Sequence, residues 1–273
     1  MKVGILGPRG TYSEIAARTQ FGHDIEPVPY PLITDVAEAV EKGELPVGVA
    51  PVESLREGSI GETLDALAWL DIKVQAEIVV PVSHYLLGSK GANLNEIKQV
   101  LSHPQALAQC RDFLRKNLPK AEFVNMSSTA EAAKQVSKLK RPYMAAIGSK
   151  ELDDLYGLEV IRGNIQSGKE NFTRFLCLAK EDSEPTGDDK TSIVFYTKED
   201  RPGILEEILR EFAVREINLT KIESRPSKKA LGDYLFFVDL EGHRENPLVE
   251  EALEAIKTKV ATLKIIGSYP KRF

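Results

Sequence analysis

The sequence predicts an α/β protein over residues 1–180, joined by a short linker to a smaller βαββαβ unit. Three observations carry this. Short apolar runs and amphipathic stretches alternate through the first 180 residues, the pattern of a sheet covered by helices on both faces. The stretch KEDSEPTGDDK (180–190) is dense in charge, Pro and Gly and has no hydrophobic periodicity, so it reads as a linker. After it the order is strand, helix, two strands, helix, strand, which is the ferredoxin-like arrangement. The expected domains are 1–180, a linker at 181–190, and 191–273.

Taken in order, 2–6 is a short apolar strand, GPRG a turn, and 13–21 a helix. Residues 36–42 and 63–70 are expected as helices, 47–50 as a buried strand, and 78–87 as one β-rich run. A single amphipathic helix is expected over 105–117, with Leu107, Cys110, Phe113 and Leu114 on one face. Residues 129–139 form another, with Ser127 or Ser128 as N-cap and Glu131 in the first turn. Strands follow at 144–147 and 175–179. Beyond the linker, strands are expected at 191–197, 219–224, 234–240 and 263–269. Arg201-Pro202-Gly203 opens a helix whose inner face carries Ile204, Leu205, Ile208, Leu209 and Phe212, and 248–260 is the second helix.

Composition excludes several classes. At 273 residues the chain supports two cores, and 42% hydrophobic with 28% charged residues is ordinary for a globular protein. A net charge of −5 argues against a general nucleic-acid binder. Cys110 and Cys177 cannot make a disulfide framework or a zinc site, and four histidines without ligand spacing give no metal centre. MKVGILGPRG is too short in apolar residues for a signal peptide, and no run of about 18 apolar residues occurs. The expectation is a cytoplasmic protein without membrane contact.

Four stretches carry polar groups that suit either a structural or a chemical role. GILGPRGTYSE (4–14) satisfies neither dinucleotide nor P-loop spacing; it is either an anion-holding strand–turn–helix or a tight turn with Thr11 or Ser13 as cap. APVESLREGSIGETLDAL (50–67) puts Glu53 and Ser54 at a strand end, where open α/β sheets bind ligands, although a solvated loop reads the same. In LSHPQALAQC (101–110), Ser102 and His103 precede Pro104 at a helix start, with Gln109 seven residues beyond Ser102. His103 has no nucleophile partner by spacing, so a cap or surface role is the more ordinary one. In NFTRF (171–175), Thr173 and Arg174 either close structural bonds at a strand mouth or face a ligand.

In one order these stretches, with AAIGS (145–149), YGL (156–158) and NIQ (164–166), resemble prephenate dehydratase. RPGIL and INLTKIESRP (217–226) resemble the ACT regulatory domain that follows it in that family. The resemblance implies two α/β lobes similar to type II periplasmic binding proteins, with the active site in their cleft. It implies conversion of prephenate to phenylpyruvate, no cofactor, and a homodimer or homotetramer that binds phenylalanine as feedback inhibitor. By motif match, Thr173, Ser102 and Gln109 are catalytic candidates, with Glu53 a further member of their polar network; Thr11, Ser13 and Ser54 match substrate-binding positions, and Arg174 is either a grip for the substrate's pyruvyl carboxylate or a structural salt-bridge partner. Gly203, Ile204, Leu205, Asn218, Glu223, Ser224, Arg225 and Pro226 are the phenylalanine-site candidates. The family usually reads P-[VI]-E-N-S-x-x-G where this chain has Ser54 and Leu55 in place of Asn and Ser, so one amide fork is missing. Arogenate as substrate, or a catalytically weak amino-acid sensor on the same fold, are the alternatives.

Overall fold

β1 (Lys2–Leu6) buries Val3 and Ile5 completely and leads through α1 (Tyr12–Phe21) to β2 (Glu26–Tyr30), its parallel partner. The structure, a computed structural model, describes residues 1–168, 170–228 and 233–272. The sequence EPVPY of β2 carries two prolines, which a central strand excludes; β2 lies at a sheet edge, where a missing N–H interrupts no ladder. There follow α2 (Ile33–Glu41), β3 (Gly48–Ser54), β4 (Gly58–Ser59), α3 (Gly61–Trp69) and β5 (Lys73–Pro81).

The next stretch builds a second sheet from β6 (Tyr85–Gly88), β7 (Gln99–Ser102), α4 (Pro104–Gln109), α5 (Arg111–Asn117), β8 (Glu122–Asn125), α6 (Thr129–Leu139), β9 (Met144–Gly148), α7 (Leu152–Tyr156) and β10 (Glu159–Arg162). β11 (Phe172–Ala179) then returns to the first sheet. The first sheet is ordered β2-β1-β3-β11-β5 with β4 on β3, and the second β10-β6-β9-β7-β8. The β-rich run at 78–87 is therefore two strands of different sheets, and the chain crosses between sheets at 82–84 and again at 163–171. The single helix expected over 105–117 is two. Cys110 leaves helical geometry (φ −99, ψ 8), and the freed carbonyl of Gln109 accepts from the Ser167 N–H at 2.7 Å.

By compactness the chain divides into two units. The first is Met1–Val36, Val49–Ile60 and Val79–Phe175. In its second sheet, Leu86, Val100 and Ile147 pack with Ala106, Cys110 and Leu114 on one face. Leu87, Leu101 and Ala146 pack with Ala133, Val136 and Leu152 on the other, as the two-residue strand period requires.

The second unit is Ala37–Gly48, Gly61–Ile78 and the chain from Leu176 onward. It contains β12 (Asp189–Thr197), α8 (Ile204–Ala213), β13 (Leu219–Pro226), β14 (Tyr234–Glu241), α9 (Pro247–Lys257) and β15 (Val260–Pro270). The antiparallel sheet β13-β14-β12-β15 buries Ile193, Phe195, Val238 and Leu240 against Ile208 and Phe212 of α8 and Leu253 and Ile256 of α9. This is the expected βαββαβ unit. Its sheet end carries an inaccessible ion pair, Lys190–Glu77 at 3.2 Å, and Glu77 also accepts from the Arg272 N–H at 2.8 Å. No helix among the described residues is long and apolar enough to cross a membrane.

Candidate active site

A cavity of about 700 Å³ opens in the first unit, walled by the ends of elements from both of its sheets. The first sheet contributes the loop after β1 with the start of α1 (Gly7, Thr11, Tyr12, Ser13) and the turn after β3 (Ser54, Glu57). The second contributes the start of α4 (His103) with Gln109, and the start of α6 (Ser127, Ser128, Thr129). Val82 and His84 come from one crossing between the sheets, and Asn171, Thr173 and Phe175 from β11 and the residue before it. Strand ends of an α/β fold leave loops and helix starts free for a ligand, and this cavity is assembled from such parts.

The loop after β1 is fixed from several sides. Gly10 has φ +85, and a Cβ there would sit 2.6 Å from Leu152 and 2.7 Å from Leu155, so only glycine fits. The buried Glu14 carboxylate accepts from Arg9 at 2.9 and 3.0 Å, from Arg18 at 2.8 and 3.1 Å, and from the Gly10 N–H at 2.9 Å. Burial alone would raise the Glu14 carboxyl, but these donors outweigh it and hold it down to about 2. Thr11 does not cap α1 through its side chain, as had been one expectation; its hydroxyl donates to the Leu6 carbonyl at 2.8 Å. The Tyr12 hydroxyl donates to the Ser83 carbonyl at 2.6 Å, and burial raises its pKa. The Tyr156 hydroxyl donates to the Arg9 carbonyl at 3.0 Å.

Among the described residues the wall holds no Lys or Arg, and Glu57 is its one carboxylate. Positive potential comes instead from helix starts. Thr11 is the N-cap residue of the ten-residue α1, and Ser128 that of the eleven-residue α6, where its hydroxyl accepts from the Glu131 N–H at 3.0 Å. His103 is the N-cap of α4, its Nδ1 3.3 Å from the Gln105 N–H, and burial lowers its pKa.

The family model described as "Prephenate dehydratase" matches residues 3–183, and the model "ACT domain" matches 191–258. The chain belongs to the prephenate dehydratase family. It is 42% identical to the prephenate dehydratase of Methanocaldococcus jannaschii over 96% of each chain. It is 45% identical to the bifunctional chorismate mutase/prephenate dehydratase of Aquifex aeolicus, over 99% of this chain and 74% of that protein. Among solved structures, the prephenate dehydratase of Arthrobacter aurescens in complex with L-Phe superposes with a TM-score of 0.92 at 34% identity, covering 99% of this chain and 90% of that one.

Of the family residues expected from the sequence, Thr11, Ser13, Ser54, Gln109 and Thr173 meet at the one cavity. Three do not reach its wall. Ser102 is fully buried, and its hydroxyl donates to the Ile147 carbonyl at 2.7 Å, a structural bond inside the second sheet. Arg174 follows Thr173 on β11, so the strand period sends it to the opposite face, where it is 7% exposed. Glu53 stays half-buried in β3, paired with Ser59 across β4. Two wall residues, His84 and Asn171, escaped sequence reasoning. Each had a signal: His84 is a polar residue inside the β-rich run 78–87, and Asn171 lies two residues before Thr173.

The regulatory candidates all lie in the second unit. Gly203, at φ +85, is the N-cap residue of α8; Ile204 and Leu205 open that helix and pack partly against its core. Asn218 precedes β13, and its carbonyl accepts from the Glu241 N–H at 2.9 Å. Glu223, Ser224, Arg225 and Pro226 lie on β13. The Arg225 guanidinium sits 3.3 Å from Asp65 of α3 and 3.7 Å from Glu223, and it covers Gly61, where a Cβ would collide with it.

Proposed function

We propose that this chain is a carbon–oxygen lyase that converts prephenate to phenylpyruvate, carbon dioxide and water in this cavity. The reaction breaks the bond between the ring and its carboxylate. That electron pair moves into the ring as the 4-hydroxyl departs, and one proton converts the hydroxide to water. The observation that carries the reading is a cavity lined by neutral donors, Thr173 and Gln109 among them, with no cationic side chain in its described wall. A cation held against the departing carboxylate would stabilise the ground state more than the transition state, in which that charge is leaving. A neutral wall avoids that penalty. The pyruvyl carboxylate, which must be held and not lost, finds its partners at the helix starts around Thr11–Ser13 and Ser128.

Thr173 donates toward the leaving hydroxyl. An aliphatic alcohol is too weak an acid to surrender its proton alone, so the proton passes through a relay that includes Gln109 or solvent. In this reading phenylalanine binds at the second unit of a homodimer or homotetramer, in a cytoplasmic enzyme of phenylalanine biosynthesis. The test is incubation of the purified chain with prephenate and, separately, with arogenate. Phenylpyruvate forming from prephenate is the expected result. Turnover of arogenate alone would reassign the substrate, and turnover of neither would favour the amino-acid sensor.

A further inference from the structure

His84, Asn171 and Gln109 form one polar cluster in the cavity wall. Gln109 Oε1 lies 2.9 Å from His84 Nε2 and accepts from Asn171 Nδ2 at 3.0 Å. His84 and Asn171 are only 4% and 5% exposed. Their other polar side-chain atoms, His84 Nδ1 and Asn171 Oδ1, are enclosed and have no hydrogen-bond partner among the described residues.

We propose that His84 and Asn171 are positioning residues that hold the Gln109 amide with its oxygen turned to them and its two N–H groups turned to the substrate. An amide oxygen accepts two hydrogen bonds and an amide nitrogen accepts none. With the oxygen as shared acceptor, His84 is the Nε2–H tautomer and both orphaned atoms are acceptors. The reverse orientation would strand an imidazole N–H and an amide NH₂ in the interior, and orphaned buried N–H groups are the rarer case. Burial lowers the His84 pKa against the opposing bond to Gln109, which favours the neutral ring that this tautomer requires.

The backbones of all three are pinned as well. The His84 N–H donates to Gln166 Oε1 at 2.9 Å and its carbonyl accepts from Ile165 at 3.0 Å. The Asn171 carbonyl accepts from Val82 at 2.7 Å, and the Gln109 carbonyl from Ser167 at 2.7 Å. Arg56 holds the same segment by donating to the Ser167 carbonyl. What the arrangement yields is a side chain at position 109 that presents donors only, matched to an oxygen of the substrate. This rests on the substrate reading above.

The test compares kcat and KM for prephenate in the full chain and in His84→Gln, His84→Phe and Gln109→Glu, with thermal melting to establish folding. His84→Gln keeps an N–H donor and stays within about tenfold of wild type. His84→Phe releases the amide and loses about 10²-fold, mostly in kcat, the scale of a misplaced catalytic group. Gln109→Glu, an acceptor only, loses at least as much. Independently of activity, a long-range ¹H–¹⁵N correlation spectrum of the wild type at neutral pH shows His84 as the Nε2–H tautomer. A folded His84→Phe with wild-type kcat/KM, an active Gln109→Glu, or an Nδ1–H tautomer overturns the proposal. If the wild type does not turn over prephenate, the substrate assignment fails, and the tautomer by itself decides whether the amide is locked as described.

Discussion

Thr173 and Arg174 are neighbours in the chain and lie on opposite faces of β11. That one-residue difference assigns the hydroxyl to the cavity and the guanidinium to the interior, and it leaves the described wall without a cation. Arg174→Met therefore acts through folding: removing a buried, partnered charge lowers stability by about 3 kcal/mol, while KM of the folded protein changes by less than about threefold. Chemical melts and steady-state kinetics on the same preparation separate the two effects. A large KM increase without destabilisation would restore Arg174 to the substrate. At this scale the residues that the family resemblance picked out and that share the cavity wall are Thr11, Ser13, Ser54, Gln109 and Thr173. His84 and Asn171 were not, because their significance arises from converging on Gln109, 25 and 62 residues away in sequence.

At the scale of elements, the loop after β1 depends on a single carboxylate. Glu14 joins Arg9, Arg18 and the Gly10 amide, and its pKa is held at about 2 against an ordinary 4.5. A depressed carboxyl stabilises the fold fully above 4.5 and loses that contribution as pH falls toward 2. Glu14→Gln is accordingly less stable than wild type by about 2 to 3 kcal/mol at neutral pH, and the two converge as pH drops through this window. Denaturant melts across pH check it; a constant difference would mean that charge is not the cause. Elements legible in the sequence were those with strong periodicity, such as α6, α8 and α9. The unread strands are the two-residue β4, the short edge strands β2, β8 and β10, and the four-residue β7, which lies inside the second sheet; β2 is disguised by its prolines. The break at Cys110 was invisible because the apolar face of 105–117 continues through it.

At the scale of the molecule, composition and compactness divide the chain differently. Composition marks 180–190, whereas the second unit also gathers 37–48 and 61–78. The bonds responsible join residues far apart in sequence, and no local pattern reports them. Glu77 pairs with Lys190, Asp65 with Arg225 and Lys228, and the Lys264 ammonium donates to carbonyls of Leu67 and Leu70. Arg225 thus already has an acidic partner before any ligand arrives. If phenylalanine binds at this unit, a ligand concentration of 100 times Kd adds about 2.7 kcal/mol to the stability of the full chain. Arg225→Ala abolishes most of that shift. Calorimetric melts with and without phenylalanine measure it, and an undiminished shift in the variant would move the ligand elsewhere.

In the proposed reaction, neutral donors at this cavity help the substrate's hydroxyl depart as its carboxylate leaves. The most direct measurement is phenylpyruvate formation from prephenate by the wild type beside Thr173→Ala, with melting curves for both. Turnover is expected to fall by about 10²- to 10⁴-fold in kcat in a variant that melts like wild type. A folded Thr173→Ala with wild-type kcat would contradict it.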